Sequence, residues 1–276
     1  MTTELSEWKA SFDPRSPIII IGAGRSGSTW LMRLLDHQAD VSLKGETNFL
    51  SCRLWTEIWE DRFWHFWERY VAKHPQSAHD APPVCDDDEL EEEKERAGGI
   101  VAKAVAEVLG VSPNARYWGL KEIWNGCPPN DYEWLPYDFV YPRARWVHLV
   151  RHPLEFAFSC IAWNERERSV PVVENHLRQW MKIVERSEER RSTGRFVTVR
   201  YEDLMRDARG TLEGIAAALD LRGLSFDGAA IVESRLLDSK RDAAAERLIV
   251  EQMAFIPALI ECAAAFGYED LIPAKW

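Results

Sequence analysis

Residues Gly22-Ala23-Gly24-Arg25-Ser26-Gly27-Ser28-Thr29 set three glycines, an arginine and three hydroxyls in eight consecutive positions. Glycines let a backbone turn tightly and expose successive N–H groups, and a helix start adds partial positive charge, so such a segment can cradle an anion. A bare strand-to-helix turn requires none of Arg25, Ser26, Ser28 and Thr29. Three ligand chemistries compete for the cradle. As GxGxxG it would hold a dinucleotide, but that fingerprint wants an acid at the end of a second strand about 20 residues on. Asp40 comes early for that role and Glu46 late. As GxxxxG followed by Ser-Thr it has Walker spacing, yet Ser28 stands where lysine should reach the β- and γ-phosphates, and no Walker B acid is evident. In the third reading the cation moves to Arg25, and Ser28 and Thr29 serve a terminal phosphate. That suits a 5′-phosphate ending in something other than a phosphate chain.

The elements around this loop must aim it. Pro17-Ile18-Ile19-Ile20-Ile21 is apolar, β-branched and ends in glycine, as a strand buried on both faces does. Trp30, Leu31, Leu34 and Leu35 then recur at helical spacing over Ser28–Gln38. Further strands are expected at Val41–Lys44, Arg116–Lys121, Arg145–Val150 and Arg195–Arg200, and a mostly helical tail from Thr211 to Phe266. Alternating strands and helices predict an α/β fold, a three-layer parallel sheet with helices on both faces. Leu50–Tyr70 has apolar residues at helical intervals, and several of the chain's 13 tryptophans fall there. The acid run Asp86–Glu93 is expected in a solvated loop and the first turns of a helix, whose dipole favours carboxylates. One domain over residues 1–276, with an aromatic helical insertion and acidic loop at about 50–110, accounts for the whole pattern.

Composition limits the partners. With 34 Lys plus Arg against 45 Asp plus Glu, the net charge of −11 repels nucleic acid and anionic membranes. Any polyanion must be held by a local basic pocket. Five scattered cysteines without a CxxC pair argue for a reducing compartment and against a metal site. Acidic residues near the N-terminus argue against a secretory leader, and no apolar run approaches the roughly 18 residues that span a bilayer. A cytoplasmic location is the expectation, and the oligomeric state stays open.

Arg25-Ser26-Gly27-Ser28-Thr29 resembles the 5′-phosphosulfate loop of sulfotransferases that use 3′-phosphoadenosine-5′-phosphosulfate (PAPS): a basic residue, Ser-Gly, a hydroxyl residue and Thr. Two further segments are similar, in the same order. Arg145–Val150 leads to Arg151-His152-Pro153 and Ser159, an arginine and a serine eight residues apart, and Val199-Arg200-Tyr201 matches a strand-end tyrosine. Gly45-Glu46-Thr47 lies after the loop at the distance seen in tyrosylprotein sulfotransferases and their bacterial relatives.

The resemblance implies a P-loop NTPase-like sulfotransferase fold and a metal-independent transfer of a sulfuryl group from PAPS to a hydroxyl, leaving the bisphosphate PAP. It implies Arg25, Ser26, Gly27, Ser28 and Thr29 at the 5′ end of the donor, Arg151 and Ser159 at its 3′-phosphate, and Trp30 and Tyr201 near the nucleotide. It implies Glu46 as the base that takes the acceptor's proton, and Lys121, at the end of its strand, with Arg25 as cations where charge builds on the leaving oxygen. Ser239-Lys240-Arg241 matches the lid over the 3′-phosphate poorly, and Trp163 stands where some relatives have arginine. The aromatic helix begins just after Glu46. Its stripe of Trp55, Trp59, Phe63 and Trp67, with Trp64 and Phe66 elsewhere, is more than one helix buries, so a neutral apolar or aromatic hydroxyl acceptor is expected. A P-loop kinase or NTPase, and a catalytically idle nucleotide-binding module, are the competing readings.

Overall fold

A computed structural model describes residues 12–47, 49–59, 62, 87–124, 131–163, 169–226, 250–252 and 256–269. The Pro-Ile run becomes β1 (Ile18–Ala23), and all four isoleucines are fully buried. Because strand side chains alternate, Ile19 and Ile21 enter one apolar layer and Ile18 and Ile20 the other. β1 is flanked by β3 (Tyr117–Trp124) and β4 (Arg145–Val150), with β2 (Val41–Glu46) and β5 (Phe196–Arg200) outside them. The order β2-β3-β1-β4-β5 is parallel throughout, which is the architecture the alternation predicts.

Helices cover both faces. On one side lie α1 (Ser28–Asp36) and, after β5, α7 (Tyr201–Arg206) and α8 (Ala208–Ala218), whose Leu31, Leu34, Leu204, Leu212 and Ile215 meet Ile18 and Ile20. On the other lie α2 (residues 50–59), α3 (Asp87–Val108), α4 (Asp131–Val140), α5 (Pro153–Trp163), α6 (Val170–Glu188) and α9 (Ile256–Ala264). β1 connects onward to β2 on one flank and β4 to β5 on the other. The connections thus diverge between β1 and β4, the place where open α/β sheets form a crevice at their strand ends.

Three expectations change. β3 runs to Trp124, paired with Ala23 of β1, so Lys121 sits inside its strand and not at its end. The acid run does begin a helix, but Glu93 is 7% exposed and paired with Arg62 at 2.8 Å, so that carboxylate is not solvated. Trp55 is buried, stacked on Trp59 at 5.6 Å and on Phe139 of α4 at 5.7 Å, so these two tryptophans build core. Phe63, Trp64, Phe66, Trp67 and Ser239-Lys240-Arg241 lie outside the described residues.

Candidate active site

The turn from β1 into α1 is made by left-handed backbone at Arg25 (φ 64°) and Gly27 (φ 91°). Gly27 has a second reason to be glycine: a Cβ there would stand 2.4 Å from the ring of Tyr201. Gly27 also caps α1 without a side-chain hydrogen bond. The first-turn N–H groups, which no helix can satisfy internally, are therefore left uncapped by it. Ser26 is 1% exposed, and its hydroxyl, like the Nε of Arg25, is buried without a hydrogen-bond partner. Unpaired buried polar atoms around a nest of N–H groups fit an anionic ligand.

The loop after β4 comes to the same place. Arg151 Nη1 donates to the carbonyl of Arg25 at 3.0 Å, so the two arginines predicted to hold opposite ends of one nucleotide occupy adjoining loops. The guanidinium of Arg151 lies 4.8 Å from the centre of the Tyr201 ring, and Trp30 meets Tyr201 edge-on at 6.3 Å. Burial raises the Tyr201 phenol, with Arg151 opposing. Burial also pushes the Cys160 thiol on α5 up to about 11 although Arg25 and Arg151 both act to lower it, which leaves that thiol unreactive. Ser159, next to it, is half-buried on α5.

The Arg151 loop is held from behind. Glu202 accepts from the His152 N–H at 3.0 Å and from the Tyr268 hydroxyl at 2.6 Å, while Trp180 Nε1 donates to the Arg151 carbonyl at 3.0 Å. Sequence reasoning did not find these supports, since each comes from a different, distant segment. Trp163, which the sequence marked only as standing where some relatives have arginine, is 62% exposed, and its ring lies 4.4 Å from the Arg25 guanidinium.

Lys121 joins the loop to the proposed base. Its Nζ donates to Thr29 Oγ1 at 2.9 Å and to Glu46 Oε1 at 3.0 Å. The lysine side chain is 7% exposed and that of Glu46 43%, so the ammonium is sheltered and the carboxylate opens to solvent. A bulge makes this pairing: Lys44 faces Leu120 and Glu46 faces Lys121, with Gly45 as the extra residue. Without it Glu46 would fall on the opposite face of β2 from the one it occupies.

The next residue of β3, Glu122, was not anticipated at all. It is 2% exposed, on the opposite face of the sheet from Lys121. Burial raises its carboxyl to about 7 even though the Thr47 hydroxyl donates to it and Tyr137 and the backbone N–H groups of Thr47 and Phe49 act to lower it.

The description "Sulfotransferase family" belongs to the family whose model matches residues 17–225. Among solved structures, the chain is similar to a sulfotransferase from Alicyclobacillus acidocaldarius (16% identity, TM-score 0.52, covering 93% of this chain and 97% of that one). It is also similar to the sulfotransferase domain of the Synechococcus PCC 7002 olefin synthase (20%, 0.50, 95% and 99%). A sulfotransferase from Mycobacterium tuberculosis H37Rv is comparable (15%, 0.51, 91% and 77%). At these identities the likenesses speak for the fold. No curated protein matches the chain by sequence.

Proposed function

The chain belongs to the sulfotransferase family, and on that premise we propose that it moves a sulfuryl group from PAPS to an uncharged hydroxyl acceptor. The observation that carries this reading is the reach of Lys121, whose ammonium touches both a hydroxyl of the anion loop and the carboxylate of Glu46. It links the place where a donor's 5′ end would lie to the place where a proton would leave.

The 5′-phosphosulfate is assigned to Arg25 and the N–H groups of Ser26, Gly27, Ser28 and Thr29. The 3′-phosphate is assigned to Arg151, whose planar fork suits two phosphate oxygens, with the Ser159 hydroxyl. Trp30 and Tyr201 form an aromatic edge beside them for the base. Two anchors at opposite ends of a donor fix the direction of its sulfur, and orientation of this kind can be worth about 7–11 kcal/mol of barrier.

In the transfer, the acceptor oxygen bonds to sulfur as the bond between sulfur and the bridging phosphate oxygen breaks. The acceptor's proton passes to Glu46, whose carboxylate is exposed enough to meet it. Negative charge gathers on the departing phosphate, where Lys121 and Arg25 stand in place before the reaction begins. The product is a sulfate ester, and PAP leaves. Among the described residues no helix is long and apolar enough to cross a membrane. We place the reaction in the cytoplasm in one domain, on the acidic surface and scattered cysteines of the sequence.

An uncharged acceptor is favoured by the net charge of −11 and by the exposed indole of Trp163 beside Arg25. Calorimetry with PAP and with ATP–Mg²⁺, followed by turnover of phenols, lipid alcohols and sulfated sugars, tests the whole reading. PAP is expected to bind and ATP–Mg²⁺ not, and Glu46→Gln is expected to retain PAP affinity while losing about 10²–10⁴ in kcat. Full activity in Glu46→Gln would remove it from the chemistry, and tight ATP–Mg²⁺ binding would favour a kinase.

A further inference from the structure

The turn that follows Glu46 is closed by a backbone hydrogen bond from the Leu50 N–H to the Thr47 carbonyl at 3.2 Å. Beyond the bulge, the chain leaves the sheet at Thr47 and re-enters regular structure at α2, residue 50. At the start of α2, Phe49 has φ 57°, a left-handed conformation that is costly for an aromatic residue. Glu46 itself remains 43% exposed. Something must fix this turn if the carboxylate is to face Lys121.

Directly beneath it lies Glu122. The Thr47 hydroxyl donates to Glu122 Oε1, and the backbone N–H groups of Thr47 and of Phe49 favour the ionised form of the same carboxylate. From α4, Tyr137 lies against the same carboxylate. Tyr141, just past the end of α4, hydrogen-bonds Ser51 of α2 at 2.8 Å. The groups facing Glu122 are thus Thr47 and Phe49 from the turn, Tyr137 from α4, Tyr141 just beyond it, and Cys52 from α2. None of them is a cation, and Lys121 projects from the other face of β3. Burial leaves the carboxyl titrating near 7.

A buried carboxylate without a counter-ion is expensive, and apolar residues would fill the same space at less cost. What the carboxylate supplies here is an acceptor for the Thr47 hydroxyl, with the N–H groups of Thr47 and Phe49 favouring its charge, on a strained turn. We propose that Glu122 is a positioning residue that clamps the turn at Thr47 and Phe49 and so aims Glu46 at the acceptor, in its ionised form. This rests on the assignment of Glu46 as the base, but the clamp itself is a statement about the turn and can be measured without turnover.

The sign of the pH effect follows from the chemistry. The ionised carboxylate accepts from the Thr47 hydroxyl and is favoured by the N–H groups of the turn. Once protonated, one oxygen carries a hydrogen that faces other donors, and the turn loosens. The rate should therefore fall as pH drops through about 7. For stability the direction is opposite. A carboxyl whose folded value is raised from 4.5 to about 7 costs stability above that window, so the parent's melting temperature should decline from this group as pH rises from 4.5 to 7.

The test uses the full chain with Glu122→Gln, which keeps the shape but turns an amide N–H₂ toward donors. Thr47→Val serves as a milder variant should the first not fold. Amide exchange at Thr47 and Phe49, PAP affinity by calorimetry, and kcat from pH 5.5 to 9 are read together. Expected are exchange at least tenfold faster at those two amides, PAP affinity within twofold of the parent, and kcat lower by about 10- to 100-fold. The acidic limb near pH 7 should vanish in Glu122→Gln, and Thr47→Val should give a smaller change in the same direction. Unchanged exchange overturns the clamp, as does a kcat loss that merely follows lost PAP affinity, or a limb near pH 7 that survives in Glu122→Gln. Faster exchange in variants of a protein whose Glu46→Gln form is fully active supports the clamp and overturns only the role of Glu46.

Discussion

Gly27 and Gly45 are both glycines of the site, and they do different things. Gly27 sits at φ 91° with the Tyr201 ring 2.4 Å from where a Cβ would be, so an added methyl must displace either the anion loop or the aromatic edge. Gly45, the extra residue of the β2 bulge, has nothing within 4 Å of its virtual Cβ. Gly27→Ala is expected to destabilise the fold by about 1–3 kcal/mol and to weaken PAP at least tenfold, because the N–H groups it displaces are those assigned to the 5′-phosphate. Gly45→Ala is expected to leave PAP affinity within twofold. Calorimetry and thermal melts of the two variants side by side check this, and parental PAP affinity in Gly27→Ala would mean that the loop does not hold the donor. A motif that lists glycines treats the two alike. The backbone does not.

Between elements, what the sequence discloses depends on how local the cause is. β1, β4 and the Arg25–Thr29 turn are announced by runs of neighbouring residues, and they fall where hydrophobic pattern and glycine spacing put them. Lys121 and Glu46 are each recognisable, but their contact depends on a one-residue bulge in β2, which no propensity signals. Glu122 was invisible for a related reason: alternation sends it away from Lys121 into a layer made of segments from residues 47, 49 and 137. Trp55 reads as a surplus aromatic because one of its stacking partners, Phe139, lies 84 residues on.

A second polar joint between elements has the same non-local origin. At the end of α6, Glu188 accepts from His148 Nδ1 of β4 and from Thr198 Oγ1 of β5, each at 2.8 Å, and from Arg191 at 2.7 Å. Burial alone would raise this carboxyl, but the donors outweigh it and hold it at about 2. A folded value below the ordinary 4.5 contributes stability that is full above 4.5 and is lost as pH falls toward 2. Glu188→Gln should thus cost about 2–3 kcal/mol at pH 7, and the gap from the parent should close between pH 4.5 and 2. Denaturant titrations at pH 7, 4 and 2.5 measure it, and a gap independent of pH would place the effect in packing and not in the charge.

Over the whole molecule, a field of net charge −11 surrounds a crevice where the loops that carry Arg25 and Arg151 meet. The two act at different ranges. Contact between Arg25 or Arg151 and a phosphate operates over a few ångströms and is poorly screened, whereas repulsion of an approaching polyanion by the acidic surface operates over tens and is cut off once the Debye length falls to about 10 Å at 0.1 M salt. Salt should therefore remove the opposition before it removes the attraction. The association rate of PAP, followed by stopped flow, is expected to hold steady or rise several-fold from 20 to 200 mM NaCl, with the dissociation rate taking most of any loss in affinity. Basic binders of polyanions behave the other way, because there the long-range field itself draws the ligand in. An association rate that drops tenfold over the same range would show that the paired arginines project past the acidic surface and steer the nucleotide from a distance, and the crevice would then act as a funnel and not merely as a clasp.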